Sequence, residues 1–430
     1  MPLPATVGAM TSAFMDQARA TALMQAQGID ALIVVQPENF YYATGANAGF
    51  AALWRRAGTA IAVIPADPRV PPAVVIPDAQ ARSFRMASDI RDVRTHPLWV
   101  ETEDLAPFLP SERPTEAIVR DAARRAGKEP QHKRPATYDI ALALAEVRHI
   151  LDERALLHGC LGIEMDFIPV NDFESFRHGV PNARFVDSSH IFRQLRMIKG
   201  PAEIAFLRQG AALSEAGITA SLNAVREGLS ASDVAFSYRS GVLEAARHAA
   251  AATFESTWDI ISVGPQPWGA GASTATVTAG SQLKFDVGCT VGGYQSDIGR
   301  TYVFGNGNEH QKRIHGALLE AFHAGLEEFK PGNPISRIHH AAQTKMRELG
   351  FESYTRGHFG HGIGANVWHE EWPYIAATES QVLMPGMVFA FETPYYVDGV
   401  GGFIIEDHIL VTERGPESFN TLAREYAEVG

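Results

Sequence analysis

Apolar and polar positions follow two rhythms along this chain. Near the start, "MDQARATALMQAQG" spaces its apolar residues as a helix does and stops at Gly28. "IDALIVV" follows as a short apolar strand, and "GTAIAVIP" and "PAVVIP" give two more strands bounded by proline. "IALALAEVRHIL" reads as a helix, "HGCLGIEM" as a strand, and "ARFVDSSHIFRQL" as a strand running into a helix. These elements predict an α/β domain over residues 1–198 in which no catalytic cluster stands out.

The rhythm breaks at Lys199-Gly200-Pro201, where Pro201 suits the first turn of a new helix. A long amphipathic helix opens at Ala202-Glu203, and "SASDVAFSYRSGVLEAARHAA" is a second one, capped by Ser230 or Ser232. From about Asp259 the pattern turns to strands: "DIISVG", "QLKFDVG" and "YQSDIGRTYVFG". Two helices are expected over about Glu309–Phe329 and Ile335–Leu349, and strands resume with "GMVFAFETPYY" and "GGFIIEDHILVT". The second domain, 199–430, therefore runs helices, strands, helices, strands, and an acidic residue inside an apolar strand of each strand block suggests two similar halves facing one site, without a clear sequence repeat.

Composition narrows the class. The chain has 430 residues, 46% of them hydrophobic, enough for two domains with buried cores. A net charge of −12 without lysine or arginine blocks argues against nucleic-acid binding. Only Cys160 and Cys289 are present, far apart, so a disulfide framework is excluded and a cytoplasmic protein is expected. The opening "MPLPATVGAM" has no basic segment leading into an apolar one, so no signal peptide is expected. The longest apolar runs are too short to span a bilayer.

Several polar residues then stand out inside apolar strands. They are Asp286 in "LKFDVG", Asp297 in "YQSDIG", Glu392 in "VFAFETP" and Glu406 in "FIIEDHIL". His361 joins them in "GHFGHGIGAN", where flanking glycines allow close backbone approach. A single acidic residue in a strand is most often surface-facing or capped by backbone amides. Four carboxylates converging in a low-dielectric pocket would repel strongly. Two divalent cations would cancel that charge, and oxygen ligands plus an imidazole suit manganese, iron, cobalt or zinc.

The spacing of these residues resembles the pita-bread metallohydrolases, the family of methionine aminopeptidase, aminopeptidase P, prolidase and creatinase. Asp286-Val287-Gly288 is followed, eleven residues after Asp286, by Asp297-Ile298-Gly299-Arg300-Thr301. Next come Gly360 to Gly364 (Gly-His-Gly-Ile-Gly), Gly386 to Glu392, and Ile405-Glu406-Asp407. The join "LRMIKGPAEIAFLR" and the segment "PENFYYATG" (Pro37–Gly45) also resemble two-domain members. The resemblance implies an α+β chain: a creatinase-type N-terminal α/β domain followed by a pita-bread catalytic domain. It implies that Asp286 chelates one metal, that Asp297 and Glu406 bridge two, and that His361 and Glu392 complete the other site. Manganese is the first choice of metal. A bridging hydroxide would attack an amide carbonyl, with Glu392 as proton shuttle. Creatinase works without metal and lacks the full ligand set; all five ligand types here argue for metal. A homodimer is also implied.

Three departures concern the substrate pocket. The peptidases carry a histidine 17 or 18 residues before the first Asp, where this chain has Gly269 and Trp268. Prolidase-like members have Arg two residues before the last Glu, where this chain has Ile404, which cannot pair with a carboxylate. The second family histidine follows the first by seven, whereas His369 follows His361 by eight, with Trp368 as the insertion. His369 is either a hydrogen-bond donor to the oxyanion or a surface residue beside Glu370 and Glu371. Trp268, Trp368 and Trp372 are candidates for an apolar or cation-binding wall, although ordinary packing is the commoner use of such residues.

The expected activity is metal-dependent hydrolysis of a C–N bond in a small peptide or amide, nearest to Xaa-Pro aminopeptidases and prolidases. The alternative is a non-peptide relative, such as a dimethylsulfoniopropionate lyase-like enzyme or an ectoine- or creatine-type amidohydrolase. "EEWPYI" (Glu370–Ile375) is faintly similar to that lyase, which however has an Asp where Gly288 stands. A non-catalytic binding protein on the same fold would be expected to have lost ligands, and none is lost.

Overall fold

The computed structural model describes residues 13–128, 133–251, 253–268, 275–366 and 368–430. The chain divides into two compact units, one ending at Leu195 and the other starting at Arg196.

The first unit is built on a mixed sheet of six strands: β1 (Ala31–Val34), β2 (Ile61–Pro65), β3 (Ala73–Pro77), β4 (Asp92–His96), β5 (Cys160–Ile163) and β6 (Arg184–Asp187). Their order across the sheet is β4-β3-β2-β1-β5-β6. Every residue of β1, β2, β3 and β5 is buried, so these strands read as unbroken apolar runs rather than alternating ones. Successive residues still part to opposite faces. Leu32 and Val34 enter one core with Met24, Phe40 and Phe192, while Ala31 and Ile33 enter the other with Val147, Ile150 and Phe176. The first helix, Gln17–Ala26, is capped by the Asp16 side chain, and Gly28 ends its turn with φ at +62°. "PENFYYATG" is the helix Pro37–Thr44, closed by a left-handed Gly45. The buried Glu164 carboxylate anchors that helix, accepting from the backbone N–H groups of Val35 and Gln36 and from Asn39.

The second unit opens with helices Pro201–Ala224 and Ala231–His248. Ser230, not Ser232, caps the second of these, through a reciprocal box with Asp233. Its strands are β7 (Phe254–Asp259), β8 (Ser262–Val263), β9 (Gln282–Val291), β10 (Tyr294–Gln295) and β11 (Ile298–Phe304), followed by β12 (His358–Gly362) and β13 (Glu371–Ala376). Then come β14 (Val388–Glu392), β15 (Tyr395–Val397), β16 (Gly401–Phe403), β17 (Glu406–Thr412), β18 (Gly415–Ser418) and β19 (Ala427–Val429). The main path, β10-β9-β11-β17-β14-β12-β13, is antiparallel throughout and forms the curled sheet of the pita-bread fold. Helices Glu309–Leu326 and Ser336–Glu348 pack on it through Phe322, Ile338 and Met346 against Phe389 and Phe391.

Strand structure starts earlier than Asp259. "FESTWD" is β7, and its polar, half-exposed residues hide it from an apolar pattern. "GMVFAFETPYY" is two strands, β14 and β15, broken at Thr393-Pro394. Among the described residues, no helix is long and apolar enough to cross a membrane.

Candidate metal centre

Strand register brings the acidic residues together. Asp286 of β9 lies opposite Gly299 of β11, Gly299 lies opposite Glu406 of β17, and Glu406 lies opposite Glu392 of β14. Directly opposed residues share a face of a sheet. One row across four strands thus carries three carboxylates and, in its middle, a glycine. Ile404 fills the space that a Cβ on Gly299 would need, at 2.7 Å. Asp297 precedes β11 by one residue. The turn Gly292-Gly293, both with positive φ, lets β9 fold back so that Asp286 and Asp297 reach one place. His361 comes from β12, opposite Ala390 and two residues along β14 from Glu392. Gly360 allows this approach: its φ is +119°, and a Cβ there would lie 2.0 Å from the Ala390 carbonyl oxygen.

Asp297, His361 and Glu406 each offer a ligand atom within 4.8 Å of the others, and all three are buried. Asp297 Oδ1 and Glu406 Oε2 are buried without a hydrogen-bond partner. An orphaned buried carboxylate oxygen is costly, and a cation between the two would satisfy both. The donor set therefore fits a hard or borderline divalent ion.

The electrostatics carry the same message. Burial raises the Glu406 carboxyl well above its usual range, and Asp297, Glu392 and Asp286 raise it further. Asp286 is raised by burial too, against the pull of Lys284. Burial acts on Asp297 in the same sense, but His369, His361 and His408 win and hold its carboxyl below the usual range. Burial disfavours a charged His361, yet Asp297, 3.5 Å away, lifts it to about 8. Negative charge is thus crowded into a buried site, and a bound cation would offset it directly.

Asp286 and Glu392 flank the cluster, each with a basic partner. Lys284 Nζ lies 3.0 Å from Asp286 Oδ2, and Arg356 donates to Glu392 Oε1 at 2.7 Å. His358 Nδ1 is 3.7 Å from the same Glu392 oxygen. Asp297 is held from behind, its backbone N–H donating to His408 Nε2 at 2.9 Å. Glu406 is held by Arg300, which donates to its carbonyl oxygen at 2.8 Å and to the Asp407 carboxylate at 2.6 Å. Thr301 clamps the neighbouring loop by exchanging hydrogen bonds with Ile404 N and O.

His369 reaches the centre despite the extra residue. It is buried, its Nε2 lies 3.4 Å from Asp297 Oδ2, and its ring packs against both Trp258 at 4.3 Å and Trp368 at 4.0 Å. Glu371 is also buried, paired with Arg196 and Lys199. Of the other tryptophans, Trp268 is exposed and stacks on Tyr396, whose ring lies near Lys284. Trp372 lines no wall of the centre; it packs against the apolar core and donates to Glu379. Gly269 lies outside the described residues.

Sequence reasoning passed over Lys284, Arg356, His408 and Trp258. A signal existed for the first: Lys284 and Asp286 alternate in "LKFDV", so strand period two puts both on one face. For Arg356, His408 and Trp258 the partner is remote in sequence and only the register reveals it.

Residues 205–413 match the model of metallopeptidase family M24, and residues 17–198 match the creatinase/prolidase N-terminal domain. An Xaa-Pro dipeptidase of Pyrococcus horikoshii is 30% identical over 268 residues, covering 62% of this chain and 74% of that protein. An Xaa-Pro dipeptidase of Lactobacillus helveticus is 30% identical over 262 residues, covering 60% and 69%. In fold, the chain is similar to the Xaa-Pro dipeptidase from Bacillus anthracis, with a TM-score of 0.74 at 22% identity over 96% of this chain and 99% of that one. Both domain matches and the dipeptidase relatives agree with the geometry in one conclusion: the chain belongs to metallopeptidase family M24, with a creatinase/prolidase N-terminal domain ahead of the peptidase domain.

Proposed function

We propose that this chain hydrolyses a C–N bond in a small peptide or amide, with Xaa-Pro peptides as the first substrate class to test. The observation that carries the reading is the convergence of Asp297, His361 and Glu406 around orphaned carboxylate oxygens. These three residues would hold the metal, with Asp286 and Glu392 completing its surroundings; manganese suits the oxygen-rich set, with iron, cobalt or zinc as alternatives. A bound divalent ion supplies a Lewis acid and makes a water nucleophilic at neutral pH. Glu392 would take the water proton and pass it to the leaving nitrogen, since Arg356 fixes one of its carboxylate oxygens and steadies the side chain. His369, its ring fixed by two tryptophans, would donate from Nε2 to the oxygen of the attacked carbonyl. His408 is a positioning residue acting through Asp297.

A second reading is supported by Ile404. It is an apolar, buried residue where prolidase-like enzymes carry a carboxylate-binding arginine, and this disfavours a dipeptide whose carboxylate must be paired at that position, leaving room for a non-peptide substrate recognised in another way. Incubating the manganese-loaded protein with Xaa-Pro dipeptides, Xaa-Pro-Yaa peptides and dimethylsulfoniopropionate separates the two. Cleavage of either peptide set at the C–N bond is expected. Elimination from dimethylsulfoniopropionate with both peptide sets untouched would replace the peptidase reading with the lyase one. We also propose a homodimer: Phe236 and Leu243, two turns apart on one helix, are 69% and 56% exposed, and they favour a covered face. A single-chain mass in light scattering would contradict it.

A further inference from the structure

We infer that Lys284 is a resident cation standing in for a second metal ion, so that this site takes one divalent ion rather than two. The inference rests on the metal reading above and concerns how many ions the site holds.

Lys284 is an unusual residue to find here. It lies within β9, two residues before Asp286 and on the same face, and its side chain is 1% exposed. A lysine is buried to that degree only when its charge is partnered. Among the described residues, that partner is Asp286 Oδ2 at 3.0 Å, with the Tyr396 ring 5.4 Å away. Asp286 is therefore already engaged by a positive charge in the folded chain. Asp297 Oδ1 and Glu406 Oε2 are not, and it is around them that the three-ligand cluster forms.

Charge counting agrees. With a bound ion the ligating carboxylates are ionised and the ligating His361 is neutral. Asp286, Asp297, Glu392 and Glu406 then contribute four negative charges, and Lys284 and Arg356 contribute two positive ones at direct contact with Asp286 and Glu392. One divalent ion brings the remainder to neutrality. A second would leave the pocket with an excess of positive charge next to a buried ammonium, which is strongly unfavourable at low dielectric. The lysine also has little freedom to withdraw. Its stem runs against Gly402, where a Cβ would meet Lys284 Cδ at 3.1 Å, and the same spot is bounded by Ser262 Oγ and the Pro267 carbonyl.

The test counts ions on the full-length protein. After saturation with manganese and desalting, elemental analysis is expected to give about one manganese per chain. Electron paramagnetic resonance should show an isolated ion, without the coupling of a close pair. Lys284→Ala, which removes the charge and opens the space, should raise the count to about two and introduce the coupled signal; Lys284→Arg should stay at about one. Two coupled ions in the unaltered protein would overturn the inference while leaving the metal reading intact. A count that stays at one in a folded Lys284→Ala would also overturn it. No bound manganese in any form would overturn the metal reading itself. The unaltered protein's count and spectrum decide the question even where the alanine variant fails to fold.

Discussion

Asp297 is the residue on which most of the site's geometry turns. Its backbone N–H donates to His408 behind it, its carboxylate faces His361 and His369 in front, and its Oδ1 has no partner. Removing the support should cost the metal site without removing a ligand. We expect His408→Leu to fold and to bind manganese about 10–100-fold more weakly, as outer partners of metal ligands usually do; titration calorimetry checks this, and unchanged affinity would refute the positioning role. The five acidic and histidine positions stood out in the sequence because each lies in or beside a strand-like run where a charged or imidazole side chain is out of place. Their basic neighbours were not, since a lysine at a strand position reads as solvent-facing until burial is known.

At the level of elements, β11 and β17 are joined less by ladder pairs than by side chains. Arg300 of β11 bonds the carbonyl of Glu406 and the carboxylate of Asp407 on β17, and Arg424 bonds the same carboxylate. Burial disfavours charge on Asp407, yet the two arginines hold its carboxyl below the usual range. Asp407→Asn would leave Arg300, 2% exposed, without its counter-charge. That should destabilise the second unit by about 3–5 kcal/mol in urea unfolding, and a loss below about 1 kcal/mol would contradict the account. Gly360→Ala should fail more completely, since its Cβ would lie 2.0 Å from a strand carbonyl. Its soluble yield and melting temperature test this. The apolar strands of both units could be read from the sequence because they are buried on both faces. β7 could not, as its burial is partial and its residues are mostly polar.

For the whole molecule, pH is the simplest lever that avoids the proposed metal ligands. Burial lowers His315 to about 4, with Arg300 lowering it further. A histidine with a depressed folded pKa contributes stability that is full above its unfolded value near 6.5 and is lost as pH falls toward 4. The chain should therefore lose on the order of 3 kcal/mol from this group over that window. His315→Phe should flatten that part of the denaturation profile, and an unchanged slope would contradict it. The family and its two-domain order were visible from spaced motifs spread over nearly the whole chain. Substrate was not, because the pocket residues that depart from the peptidases are single positions whose neighbours come from distant strands. The central claim is that catalysis of C–N cleavage depends on a divalent ion at Asp297, His361 and Glu406. It is tested most directly by following Xaa-Pro dipeptide hydrolysis in protein stripped with chelator and then resupplied with manganese. The account predicts that hydrolysis is lost on stripping and returns with manganese, but not in Asp297→Asn. Undiminished hydrolysis by the stripped protein would contradict it.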